Sequence, residues 1–117
     1  MHLNSLSEQE AAALSAFAEA LRARFGDQLM DVLLFGSKAR GDAQPDSDID
    51  VLVILVTPAP NAFSDARGLG FDILLTYGVF LSIRVMSKQQ WQELADMDSL
   101  FYRNLRRDGV SLLPEQV

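Results

Sequence analysis

At 117 residues, 49% hydrophobic and 22% charged, the sequence reads as one folded domain over residues 1–117, with enough apolar side chains to bury a core unaided. The net charge of -6 argues against a general nucleic-acid surface, which needs a basic face, and the lack of cysteine excludes a disulfide framework and any thiolate metal site. No apolar stretch approaches the roughly 20 residues of a membrane span, and the start has no cationic region followed by an apolar one, so a cytoplasmic protein without membrane contact is expected.

In chain order, Ser7-Glu8-Gln9-Glu10 has the pattern of a capping box, and Leu14, Phe17, Ala18, Leu21 and Phe25 follow at helical spacing up to Gly26. Two apolar runs, Leu29 to Phe35 and Asp50 to Val56, predict buried strands. Between Phe63 and Tyr77 one face collects Phe63, Ala66, Leu69, Gly70, Ile73, Leu74 and Tyr77, which predicts a helix stopped by Gly78, with Asp65 and Asp72 turned to solvent. Val79 to Met86 alternates as a third strand, with Phe80, Ser82, Arg84 and Met86 on one face. A second capping box, Ser87 to Gln90, opens a short helix; another runs from about Ser99 to Asp108, and Val110 to Leu113 is a candidate edge strand. Helices and strands in alternation predict an α/β (α+β) layer structure, a small sheet packed against helices.

Chemistry concentrates between Phe35 and Val51. Gly36 follows a strand directly, so backbone can approach a ligand closely, and Ser37 begins a turn whose free N–H groups favour an anion. Lys38 and Arg40 add positive charge, Arg40 as a planar fork suited to phosphate oxygens. Taken alone, this is also what a tight turn with a capping serine and two solvated cations looks like. Asp48 and Asp50 alter that balance. Two apart at a strand's mouth, they share a face with Cα atoms roughly 6–7 Å apart, and two like charges so placed repel unless a cation joins them. Magnesium suits the pair, since it takes one or two carboxylates together with substrate phosphates. The competing account makes Asp46, Ser47 and Asp48 turn formers and Asp50 an edge acid.

Gly36-Ser37-Lys38-Ala39-Arg40-Gly41, a short polar loop, and then Ser47-Asp48-Ile49-Asp50 on a hydrophobic strand resemble the minimal nucleotidyltransferase (MNT) domains of the DNA polymerase beta-like superfamily. The resemblance is centred on Leu33 to Leu55 and extends to the ending Phe101 to Leu112. It implies a polymerase beta-like fold, a small mixed sheet packed against helices. It also implies that Gly36 and Ser37, with Lys38 and Arg40 behind them, hold a nucleoside triphosphate, ATP above all. Asp48 and Asp50 would be catalytic and would bind Mg2+, or Mn2+ in its place. The implied reaction is transfer of a nucleoside monophosphate to a hydroxyl. Small members of the family commonly stand beside an all-helical HEPN-type toxin as its antitoxin, which implies a tyrosine of that partner as acceptor. A chain of this size has little surface left for an acceptor pocket, which favours a protein partner or a second copy, a homo-oligomer.

One departure from the family pattern stands out: no acid lies on the third strand, and Phe80 occupies the place expected for a third carboxylate. Two readings follow, a transferase with an incomplete metal site or a nucleotide-binding interaction module that has lost catalysis. Arg84 on the same face either supplies positive charge near the acids or is solvated. Tyr77, Trp91, Phe101 and Tyr102 are read as packing residues from their helical spacing, Arg103, Arg106 and Arg107 as a solvated basic patch, and His2 as having no ligand role.

Overall fold

In the computed structural model, residues 6–41 and 48–113 are described; Ser47, His2 and the rest of the loop before Asp48 lie outside them. Helix α1 (Glu8–Phe25) starts on the expected capping box, with the Ser7 hydroxyl accepting from the Glu10 N–H at 3.0 Å and the Glu10 carboxylate accepting from the Ser7 N–H at 2.9 Å. A short 3-10 turn over Gly26–Gln28 leads into β1 (Leu29–Phe35). Then follow α2 (Ser37–Arg40), β2 (Ile49–Leu55), α3 (Ala62–Tyr77), β3 (Leu81–Ser87), α4 (Lys88–Asp96), α5 (Leu100–Asp108) and β4 (Val110–Ser111).

The sheet order is β3-β2-β1-β4, with β1 antiparallel to both β2 and β4 and β2 parallel to β3. It is the small mixed sheet expected. Strand β2 is central and buried on both faces from Val51 to Leu55, which is why its sequence is apolar without alternation. Val51, Val53 and Leu55 point into a core shared with Leu14, Phe17 and Leu21 of α1 and Ala62, Ala66 and Ile73 of α3. Leu52 and Ile54 point the other way, onto Leu105 of α5 and Trp91 of α4. The sheet thus has α1 and α3 on one face and α4 and α5 on the other.

The helix after β2 uses a narrower face than the sequence suggests. Its buried residues are Ala62, Ala66, Gly70 and Ile73, whereas Phe63, expected inside, is 47% exposed. Small side chains let α3 lie close to the sheet: the space a Cβ would take at Gly70 is filled by Ile83 of β3. A phenylalanine has no room on that line and turns outward. Asp65 is not simply solvated either, since it pairs with Arg24 of α1 at 2.5 Å. The third strand starts at Leu81 rather than Val79, which leaves Phe80 ahead of it and 61% exposed. Trp91 packs on Tyr102 with ring centroids 4.9 Å apart and Phe101 meets Phe35 edge-on at 5.7 Å, so these aromatics are packing residues as expected; Tyr77 lies against the core formed by α1 and α3. Arg103, Arg106 and Arg107 are exposed, with Arg107 bonded to Asp108.

Candidate active site

Three strand ends converge at one end of the sheet. The chain leaves β1 at Phe35, and Phe35 is paired with Asp50 at the start of β2. Asp50 is in turn level with Ser82 at the start of β3. Asp50 belongs to the face of β2 that carries Leu52 and Ile54, so its carboxylate rises on the α4 and α5 side, with Ser82 and Arg84 beside it on the neighbouring strand.

Gly36 is what lets the turn reach the acids. Its φ of 75° lies in the left-handed region, and a Cβ built there would stand 2.5 Å from Asp50 Oδ2. A side chain at this position would displace the carboxylate, so glycine is required on both backbone and steric grounds. The four residues Ser37–Arg40 then form one helical turn, closed by bonds from the Arg40 N–H to the Gly36 carbonyl at 3.1 Å and from the Gly41 N–H to the Ser37 carbonyl at 3.0 Å. Gly41, at φ 84°, ends it. A turn of this length was invisible to periodicity, which needs more than one helical repeat.

The electrostatics follow from this packing. Burial raises the pKa of Asp50 above its ordinary value of 3.8, and the charge of Asp48 raises it further, while Arg84 and Arg40 pull it down. Asp50 is half-buried and Asp48 exposed, so the pair straddles the lip of the cleft. Asp48 and Asp50 are the oxygen donors here that could hold a hard cation. Magnesium or manganese fits them, because such ions accept few protein ligands and fill the remaining positions from phosphates. Among the described residues, no group of three or more His, Asp or Glu side chains gathers as a metal cluster.

The two cations of the motif part company. Arg40 is exposed and near enough to act on Asp50. Lys38, read from the sequence as a second phosphate contact, is only 1% exposed, and its amine sits 3.3 Å from Glu10 Oε2. Arg84 is not simply solvated: its guanidinium lies over the Phe101 ring, 5.5 Å from the centroid, while acting on Asp50. Ser82, the residue level with Asp50, was not singled out as a site residue, because the register of a parallel pair is not written in either strand alone. Glu10 was read only as a helix cap; nothing local in the sequence signals its reach to Lys38, 28 residues on.

Along the edge of β3 runs an open groove of about 290 Å³, lined by Phe63, Arg67, Phe71, Phe80, Ser82 and Ile83. The phenylalanines that face it are exposed, Phe71 at 58%. Asp72 of α3 is exposed, and with Asp65 held by Arg24 neither supplies a third acid to the cleft.

Comparison with known proteins agrees with this geometry. The family described as nucleotidyltransferase domain matches residues 14–101. A protein of Methanocaldococcus jannaschii, named as a candidate protein adenylyltransferase, is 31% identical over 100 residues, which cover 86% of this chain and 94% of the relative. Among solved structures, a candidate nucleotidyltransferase from Sulfolobus solfataricus superposes with a TM-score of 0.58 at 20% identity, covering 95% of this chain and 87% of its own. A toxin–antitoxin structure with AMP-PNP gives a TM-score of 0.54 at 18% identity, covering 87% and 74%. At such identities the solved structures speak for the fold alone. The matched family and the full-length relative go further: the chain belongs to the nucleotidyltransferase domain family.

Proposed function

We propose that this domain transfers adenosine monophosphate from ATP to a hydroxyl carried by a protein partner, with a divalent metal, magnesium above all, held by Asp48 and Asp50. The observation that carries the reading is the close approach of Gly36 to the Asp50 carboxylate, so near that a Cβ would not fit, which supports a shared site for the turn and the acids. Gly36 and Ser37 hold the triphosphate, and Arg40 adds a charged fork at the lip. Lys38 contributes its charge from beneath the turn, at the distance its ion pair with Glu10 allows. The acceptor hydroxyl oxygen attacks the α-phosphorus in line, its proton passing to solvent, and the bond from the α-phosphorus to the bridging oxygen breaks to release pyrophosphate. When bound, the metal supplies charge neutralisation at the attacking and leaving oxygens. The residues of the chain orient the α-phosphorus and keep the triphosphate against the strand ends.

The acceptor side supports a protein partner. The groove next to Ser82 is walled by the exposed Phe63, Phe71 and Phe80, with Arg67 over the Phe63 ring, a surface suited to a partly apolar protein partner. The full-length relative bears a protein adenylyltransferase name, and the resemblance to domains that stand beside a HEPN-type toxin leads us to take such a toxin as the partner and a tyrosine as the acceptor. A second reading, an interaction module that binds its partner without transfer, is favoured by one observation: Phe80 stands ahead of β3 where a third carboxylate is expected.

The test incubates the chain with α-labelled ATP, magnesium and a co-purified partner. Label on the partner that disappears with Asp48→Asn supports transfer. Stable partner binding with no label, unchanged by Asp48→Asn, establishes the module instead.

A further inference from the structure

We infer that Glu10 is a positioning residue for the phosphate-binding turn, acting through its buried ion pair with Lys38. The inference rests on the proposed nucleotide site for its consequence, though not for its geometry. Lys38 lies inside a four-residue helix between Ser37 and Arg40, and its side chain is 2% exposed. Its amine is 3.3 Å from Glu10 Oε2 and 3.4 Å from Glu10 Oε1. Glu10 Oε1 also accepts the Ser7 N–H at 2.9 Å. One carboxylate therefore joins the start of α1, an 18-residue helix anchored in the core through Leu14, Phe17 and Leu21, to a single helical turn with few residues of its own.

The energetics explain why the pair is more than a filler. Burying an ammonium is costly unless it is paired, and an apolar side chain of similar length would fill the same volume without that cost. What an apolar side chain lacks is direction. The ion pair fixes where Lys38 sits and, because Ser37 and Arg40 flank it in the same turn, fixes the presentation of both. A helix of four residues has no cooperative stability, so its shape must be imposed from outside. Gly36, at φ 75° and packed against Asp50, is the other end of the same constraint. The turn is held at one end by the acid it serves and underneath by Glu10.

Glu10→Gln is the informative variant, since the amide oxygen still accepts the Ser7 N–H and the helix cap survives, while the negative charge that α1 presents to Lys38 is lost. Lys38→Met removes the other partner. Two readouts separate the claims. Amide hydrogen exchange at Arg40 and Gly41, whose N–H groups close the turn, should speed roughly tenfold or more in either variant, with core amides of β2 unchanged. Affinity for magnesium–ATP, measured by calorimetry, should fall by roughly 10-fold, the scale of lost outer supports at binding sites, and the double variant should be no worse than the poorer single one. Exchange at Arg40 and Gly41 equal to the parent protein overturns the inference. So does a change spread evenly over the β2 amides, which marks a merely structural role. If the parent protein binds no magnesium–ATP, the proposed function fails, while the exchange data still decide the role of Glu10.

Discussion

Gly36 and Asp50 are constrained by each other, and substitutions at either should reveal it in opposite directions. Gly36→Ala combines a positive φ with a Cβ placed against Asp50 Oδ2. The expected loss is about 1–3 kcal/mol in urea unfolding, together with loss of nucleotide binding. Asp50→Asn should do the reverse for stability. Its carboxyl is held above the ordinary value of 3.8, first by burial and then by Asp48, so ionisation is less favourable in the folded chain than in the unfolded one. Below about pH 3.8 the folded state suffers nothing from this group; as pH rises through the raised value the cost appears, and above it the cost is complete. The asparagine variant should therefore outlast the parent slightly at neutral pH, by less than about 1 kcal/mol, because solvent screens a half-exposed group. The difference should shrink as the pH is lowered toward 3.8, as read by thermal melts in metal-free buffer. Equal stability of the two proteins at pH 7 would remove the argument that the acids are held in tension.

At the scale of elements, the position of α3 over β3 depends on Gly70 meeting Ile83, with Ala62 and Ala66 continuing the same close line. Gly70→Val should force the helix off the strand and cost about 1–3 kcal/mol, as overpacking does, and it should disturb the groove by Phe71 and Phe80 before it disturbs the acids; urea unfolding and the chemical shifts of Phe80 measure both. The long helices and the strands were legible because their apolar residues recur with a period that only one conformation explains, and the capping serines Ser7 and Ser87 mark the starts of α1 and α4 to the residue. The place of Asp50 at the mouth of a buried strand was legible too, since the apolar run that follows it marks the strand by itself. What escaped was anything set by a second element. The level of Ser82 with Asp50 is decided by how the chain turns through Gly78 to Phe80, and the inward course of Lys38 by a carboxylate on α1. Phe63 escaped for a related reason: hydrophobicity marks a helical face, but the distance to the sheet decides which sizes fit on it.

At the scale of the whole molecule, the end of β1 and the starts of β2 and β3 lie together, so the cleft is assembled from segments far apart in sequence and exists only when the sheet is formed. The net charge of -6 bears on the proposed function, because a triphosphate approaching an acidic protein would need local cations, Arg40 and Arg84 with the proposed metal, to hold it. Ligand binding to such a cleft is linked to global unfolding: at a concentration one hundred times its dissociation constant, a ligand of the folded state adds about 2.7 kcal/mol. Magnesium–ATP should therefore raise the melting temperature, by roughly 10 °C for a domain of this size. ATP with a chelator should do far less, since without the metal its phosphates meet the bare charges of Asp48 and Asp50. Asp48→Asn should abolish the metal-dependent part of the shift while leaving the melting temperature of the unliganded protein close to that of the parent, because Asp48 is exposed and takes no part in the core. A melting temperature that does not respond to magnesium and ATP together would mean that the convergence of these strand ends serves some purpose other than holding a metal-bound nucleotide.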